Sequence, residues 1–108
     1  MTKKNIINIY ISLESDFELE NELKNEIDLC DLWLSEFAIH SNRWTESTSY
    51  HYKHLVESYF GTYISNDAFI ISAQKRFESK LAEYSKQNYR FKFAIDNRKM
   101  KMILKKTN

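Results

Sequence analysis

The chain has 108 residues, enough for one domain with a single modest core. Hydrophobic residues make up 43% of it and aromatic residues 15%, a composition that excludes a wholly disordered chain. The net charge is only +1, whereas a dedicated nucleic-acid-binding domain is usually clearly basic. We therefore expect one globular domain spanning residues 1–108.

The sequence lacks the features of a membrane span, a signal peptide, an internal disulfide and a phosphate-binding loop. No apolar run approaches the roughly 20 residues that span a bilayer, and Ile6–Ile11 is too short for the core of a signal peptide. We therefore expect a cytoplasmic protein without membrane association. Cys30 is a single cysteine and cannot form an internal disulfide, and Gly61 is a single glycine, which leaves no phosphate-binding loop.

The charges are sorted along the chain. Residues 13–36 carry nine acids and one lysine, whereas residues 75–108 carry eleven bases and three acids. Such asymmetry either marks interaction surfaces or allows the two halves to pair within the fold.

The first predicted elements are a strand and a helix. Alternating isoleucines predict a half-buried strand over Ile6–Ser12. Ser15 or Asp16 can then cap a helix that runs to about His40. Its apolar residues recur every three or four positions and share one face: Leu19, Leu23, Ile27, Cys30, Leu34 and Phe37.

Two further helices are predicted on either side of Gly61. The first begins near Thr45 or Ser47 and ends at Gly61, a natural left-handed stop. Its apolar residues are Tyr52, Leu55, Val56, Tyr59 and Phe60. The second begins at Ser65, an N-cap residue followed by Asp67 in the first turn. Its apolar face extends for about five turns through Phe69, Ile70, Ala73, Phe77, Leu81 and Tyr84.

The tail changes to a period of two. Tyr89, Phe91, Phe93 and Ile95 alternate with polar or small residues, and Met100, Met102 and Leu104 do so again after Asp96-Asn97. Asp96-Asn97 can form the tight turn of a hairpin. The expected fold class is therefore α+β, with a three-helix core, an N-terminal strand and a C-terminal β-hairpin, as in a winged helix.

The region around Gly61 resembles a segment of small uncharacterised proteins from phages, plasmids and related mobile elements. The residues that carry the resemblance lie within 49–70: Ser49, Tyr50, Lys53, His54, Glu57, Tyr63, Ile64, Ser65, Asn66, Phe69 and Ile70. His51 and Asp67 stand where that pattern has glycine. The resemblance implies an accessory protein of a mobile element, and no activity is carried over from that group to any residue.

Signatures of metal binding and catalysis are weak. His51, His54 and Glu57 fall on one side of the second helix and are plausible ligand types. Three ligands from one helix at these steps cannot surround an ion, so an exposed polar face is the preferred interpretation. Ser49 near these histidines lacks an orienting acid and an oxyanion site. We expect no enzyme activity, no cofactor and no metal.

Two features predict a protein-binding surface. The acidic helix, with Glu18, Glu22 and Glu26 off its apolar stripe, could imitate nucleic-acid phosphates; the alternative is a solvated helix face. The aromatic residues Trp44, Tyr50 and Tyr63 near Gly61 could be interface hot spots. Their alternative is the core, where aromatic residues at helical spacing are usually found.

A winged-helix DNA-binding protein is the competing hypothesis. The two helices around Gly61 would then read DNA with the basic tail as the wing. The candidate residues are Lys75, Arg76, Arg90, Lys92, Arg98, Lys99 and Lys101. Cores of three helices, however, often bind proteins or only pack on themselves.

The favoured hypothesis combines the low net charge with the mobile-element resemblance. It is a small non-enzymatic inhibitor that binds a host protein or nucleoprotein complex acting on nucleic acids or in defence, comparable in logic to an anti-CRISPR protein. A DNA-binding regulator of the winged-helix type is the alternative.

Overall fold

The protein has an α+β fold, as predicted, in a computed structural model that describes residues 20–101. Besides the elements given below, residues 97–101 are helical. The predicted strand Ile6–Ser12, the cap at Ser15 or Asp16, and Glu18 lie outside the described residues. The elements are α1 (Lys24–Phe37), β1 (Ala38–His40), α2 (Ser49–Phe60), α3 (Asn66–Gln74), β2 (Ser79–Leu81), β3 (Tyr89–Phe91) and β4 (Phe93–Ile95).

The apolar stripe of α1 forms one wall of the core. Ile27, Cys30, Leu34 and Phe37 are buried, which confirms the predicted face. Burial, together with the nearby carboxylates of Asp31 and Glu26, raises the pKa of the Cys30 thiol to about 12, so this thiol is unreactive. The predicted end at His40 is wrong: the helix stops at Phe37, because Ala38–His40 becomes extended and pairs antiparallel with β4.

The chain reverses between α2 and α3 as the sequence predicts. Gly61 adopts a left-handed conformation with φ 70°, and its N–H donates to the Glu57 carbonyl at 2.7 Å. Ser65 caps α3, since its hydroxyl accepts from the Ala68 N–H at 3.1 Å. Helix α2 begins at Ser49, with Thr48 at the N-cap.

Helix α3 is shorter than predicted. It ends at Gln74, and the N–H groups of Arg76 and Phe77 turn back onto the Ala73 carbonyl. The Phe77 ring enters the core, with its centroid 5.1 Å from that of Phe93. The predicted helical positions further on instead form strand β2 and the loop after it, because the backbone of Ser79–Leu81 pairs with β3.

The alternating tail forms strands β3 and β4, but not the predicted hairpin. Phe91 and Phe93 both point into the core, which confirms the alternation. The turn at Asp96-Asn97 is wrong: Asp96 begins a helical segment instead, accepting from Lys99 N–H through its side chain and from Met100 N–H through its carbonyl. Strand β4 therefore pairs with β1 and β3 with β2.

The core is built mainly from aromatic rings. Phe69, fully buried on α3, contacts rings from both sides, including Trp33 of α1 and Phe91 of β3. A polar contact also joins α1 and α3, because the buried Ser72 hydroxyl donates to the carboxylate of Asp31. Helices α1 and α3 are thus joined both by ring packing and by a hydrogen bond, and the Phe69 ring also packs on β3.

Candidate protein-binding surface

Two exposed tyrosines are held over a buried lysine beside Gly61. Tyr50 in the first turn of α2 is 54% exposed, and Tyr63 just after the turn is 66% exposed. Lys53 lies between them and is only 6% exposed, with its Nζ 5.4 Å from the Tyr50 ring centroid and 5.0 Å from that of Tyr63. These distances are typical of cation–π contacts, which orient the rings.

The carboxylate of Glu57 fixes this arrangement. It lies 3.2 Å from Lys53 Nζ and 2.7 Å from His54 Nδ1, and it accepts from the Ile64 N–H at 3.1 Å. The hydrogen bond from Ile64, followed by those from His54 and Lys53, lowers the pKa of Glu57. Glu57 therefore ties the segment that carries Tyr63 to the outside of α2.

We call Tyr50, Lys53, His54 and Tyr63 the tyrosine surface. The His54 ring meets the Tyr50 ring edge-on, with 4.6 Å between centroids. The exposed members of the tyrosine surface are held by contacts with their neighbours. These contacts reduce the side-chain entropy that binding would remove.

The histidine and glutamate trio of α2 is not gathered around one point. His54 bonds to Glu57, but the His51 ring contacts Tyr52 and lines a groove with Leu55 and Met100. Within residues 20–101 no group of three potential ligands is close enough to hold a metal ion.

One of the predicted acidic residues, Glu26, lies next to the tyrosine surface. Glu26 accepts from the Ser65 N–H at 2.7 Å, two residues after Tyr63. Glu22 lies about one turn before Glu26 and is exposed. Glu26 is thus engaged in holding the start of α3, a role the sequence did not indicate.

Trp44 lies apart from the two tyrosines. Its ring makes cation–π contacts with two lysines, since the ring centroid lies 4.8 Å from Lys80 Nζ and 4.9 Å from Lys92 Nζ. Trp44 also borders a groove of about 420 Å³ between α2 and β4. The predicted aromatic set therefore divides into the tyrosine surface and a separate tryptophan on the sheet.

The basic candidates are largely engaged by acids of the same chain. Lys75 lies 3.6 Å from Asp31 and Lys99 lies 3.2 Å from Glu36, so two ion pairs join the acidic and basic halves. This arrangement supports the alternative that the halves complement each other within the fold.

Two basic candidates, Arg90 in β3 and Lys92 just after it, are also paired with acids. Lys92 lies 3.3 Å from Glu78. Arg90 pairs with Glu83 at 3.0 Å and donates to the Thr45 carbonyl at 2.9 Å. Arg90 therefore serves to fix the loop before α2.

The last three basic candidates are Arg76, Arg98 and Lys101. They are exposed and make no ion pair within residues 20–101. The wing expected to carry the last two is absent from the described fold, where residues 97–101 are helical.

The sequence does not indicate the structural positions of three residues, Lys53, Glu57 and Tyr84. Lys53 and Glu57 have the i, i+4 spacing of a helical ion pair, a weak signal that gives no hint of burial. Tyr84 was placed on a helix, whereas the structure leaves it fully exposed in the loop between β2 and β3. The polar run around it, from Glu83 to Asn88, was the available signal for a loop.

Comparison of the chain with protein-family models, with curated proteins and with solved structures finds no match. Among the described residues, no helix combines the length and apolar character needed to cross a membrane.

Proposed function

We propose that this protein is a non-enzymatic inhibitor that binds, through its tyrosine surface, a basic surface on a host protein that handles nucleic acids or serves in defence. The observation that carries the proposal is the pair Tyr50 and Tyr63, both more than half exposed and oriented around the buried Lys53. Tyrosine is among the residues most enriched at interface hot spots.

The negative charge of the segment that contains α1 supports a basic partner. Residues 20–37 contain six acids and one lysine, and Glu20 and Glu22 make no ion pair within the described part of the chain. An arginine of the partner can stack on a tyrosine ring and pair with a carboxylate at the same time. Basic surfaces of this kind are those that otherwise hold nucleic-acid phosphates.

The mobile-element origin rests on the sequence resemblance of residues 49–70, the segment that also supplies the tyrosine surface. An accessory protein of such an element that covers a nucleic-acid groove would act by competition. The expected consequence is that inhibitor and nucleic acid exclude each other on the partner.

The alternative, a DNA-binding regulator, has one favourable observation, the exposed Arg76, Arg98 and Lys101. Four other basic candidates are paired with acids, which lowers the positive potential that duplex binding requires. Duplex binding at low salt by the unmodified protein would favour the alternative.

A capture experiment tests the proposal. The bait is the full chain, applied to lysate of the source organism with and without nuclease treatment. It is used in three forms: wild type, Tyr50→Ala/Tyr63→Ala, and Tyr59→Ala as the matched control. Tyr59 is 42% exposed and lies at the opposite end of α2 from Tyr50. Its ring contacts the ring of Phe37, the last residue of α1.

We expect wild type and the Tyr59 variant to capture the same protein and the double variant to lose it, because only the double variant removes the tyrosine surface. Equal capture by all three forms would contradict the proposal. Capture that disappears on nuclease treatment would favour direct nucleic-acid binding.

A further inference from the structure

Strand β1 has one edge that no other strand covers within residues 20–101. On its paired side, the Ser41 N–H donates to the Lys92 carbonyl at 3.3 Å and continues the ladder with β4. Successive residues of an antiparallel strand direct their backbone groups to opposite edges. The N–H and C=O of His40, one residue before Ser41, therefore point away from β4. Such an edge can pair with a further extended segment.

A groove with apolar side chains in its walls lies beside this open edge. It has a volume of about 590 Å³ and is lined by Ser35, Ala38, Ile39, His40, Arg76 and Phe77. Ile39 is 55% exposed, and Leu32, which lies one turn before Ser35 on α1, is 59% exposed. They are the two most exposed large aliphatic side chains among residues 20–101. Apolar area of this kind marks a surface that another segment covers.

The β1 edge is better suited to strand addition than the outer edge of β2. Lys80 lies in β2, and Glu78 and Glu83 lie just before and just after it. Charged side chains, lysine above all, discourage pairing at a strand edge. The groove beside β1 offers apolar contacts instead.

The chain contains a segment with the matching pattern. The alternating isoleucines of the predicted strand Ile6–Ser12 give it one apolar face. A single strand cannot satisfy its own backbone hydrogen-bonding groups and needs a neighbouring strand to do so. Addition to an open sheet edge supplies main-chain hydrogen bonds and places alternate side chains in the adjoining groove.

The connection is long enough for this segment to reach β1 in the same molecule. Glu20 begins the helical segment that leads into α1, and Ser35 at the groove follows fifteen residues later, about 23 Å along the helix axis. The eight steps from Ser12 to Glu20 span up to about 27 Å when extended. The covalent connection also gives the segment a high effective concentration at the groove.

The charges at the groove are complementary to those that follow the segment. Arg76 lines the groove and makes no ion pair within residues 20–101, and Glu14 and Asp16 come directly after the predicted strand. From the open edge, the groove and the length of the connection, we infer that Ile6–Ser12 docks on β1 as a third strand of the β1–β4 sheet, with its isoleucines toward the groove. The docked segment closes an edge at which two copies could otherwise pair.

Amide hydrogen exchange of the full chain tests this inference. The wild type is compared with Ile9→Lys and with Asn8→Lys, a matched control that adds the same charge to the other face of the strand. We expect the His40 N–H to exchange roughly tenfold faster in Ile9→Lys than in the other two forms, because the added strand is lost. The Ile39 N–H, which faces β4, should stay protected in all three and shows that the fold is intact.

Contact is measured directly by nuclear Overhauser effects between His40 and residues 6–12 in the wild type. A mixture of labelled and unlabelled chains distinguishes a strand of the same molecule from one of a second copy. We expect contacts within one molecule. Contacts between copies would assign the edge to a dimer and overturn the inference. Absence of any contact, with equal exchange of the His40 N–H in all three forms, would also overturn it.

Discussion

Two groups of aromatic residues occupy this small protein in opposite ways. Phe69, Phe91 and Trp33 are fully buried, and Phe69 packs edge-on against both of the others. Tyr50 and Tyr63 are exposed, and their rings contact Lys53, which is paired with the carboxylate of Glu57. The first group gains its free energy from burial in the folded chain, whereas the apolar area of the second remains available for a partner.

The largest expected effect comes from the buried group. Phe69→Ala should reduce the free energy of unfolding by about 3–5 kcal/mol, because it removes a ring that contacts both the helices and the sheet. Chemical denaturation measures it. A loss below about 1 kcal/mol would mean that the aromatic core is loosely packed, and the comparison with the tyrosine surface would fail.

A smaller loss of stability is expected when the ion pair between Lys53 and Glu57 is broken. Glu57→Ala leaves the buried Lys53 ammonium without its carboxylate and should cost about 3 kcal/mol. Lys53→Met, which removes the charge and keeps the length, should cost less. If the methionine variant is the less stable of the two, the ammonium matters more to folding than its burial suggests.

The pH dependence of stability isolates the same carboxylate. The pKa of Glu57 is lower in the folded protein than its ordinary value of 4.5. Its stabilising contribution is therefore complete above pH 4.5 and is lost as the pH falls through the lowered folded value. Thermal melts across this range should show a steeper decline for wild type than for Glu57→Gln; parallel curves would exclude this role.

The turn that positions Tyr63 should give the smallest of these stability effects. Gly61→Ala should cost about 1 kcal/mol, from the left-handed φ alone, since an added Cβ meets no atom within 4 Å. Denaturation of Gly61→Asn, expected to lose less, is the matched control. Equal losses for alanine and asparagine would indicate a cause other than backbone conformation.

The sequence was sufficient where a local rule decides the structure. The stripe of α1, the stop at Gly61 and the cap at Ser65 all depend on spacing or on one residue's conformational preference. Alternation likewise identified Phe91 and Phe93 as inward-facing.

Non-local pairing explains the errors. Ala38–His40 leaves its helical period because β4 offers a partner, and Ser79–Leu81 does so because of β3. Asp96 was predicted in a turn, but it begins a helical segment. No local pattern specifies which strand a segment will meet.

The candidate surface was predicted only in part. Tyr50 and Tyr63 were named from their position near Gly61, but their convergence on Lys53 requires the chain to return along α2 after the turn. The structural role of Glu26 and the exposure of Tyr84 depend on the same tertiary arrangement. Residues 57 and 64 meet only through that return, which periodicity does not encode.

The central claim is that the exposed tyrosines serve recognition and the buried rings serve folding. The most direct measurement is the affinity of the captured protein for Tyr50→Ala/Tyr63→Ala relative to wild type. The melting temperatures of both forms are measured as a control for folding. We expect at least a tenfold loss of affinity, consistent with removal of two hot-spot side chains, while the free energy of unfolding changes by less than about 1 kcal/mol. Unchanged affinity in a folded double variant would contradict the account.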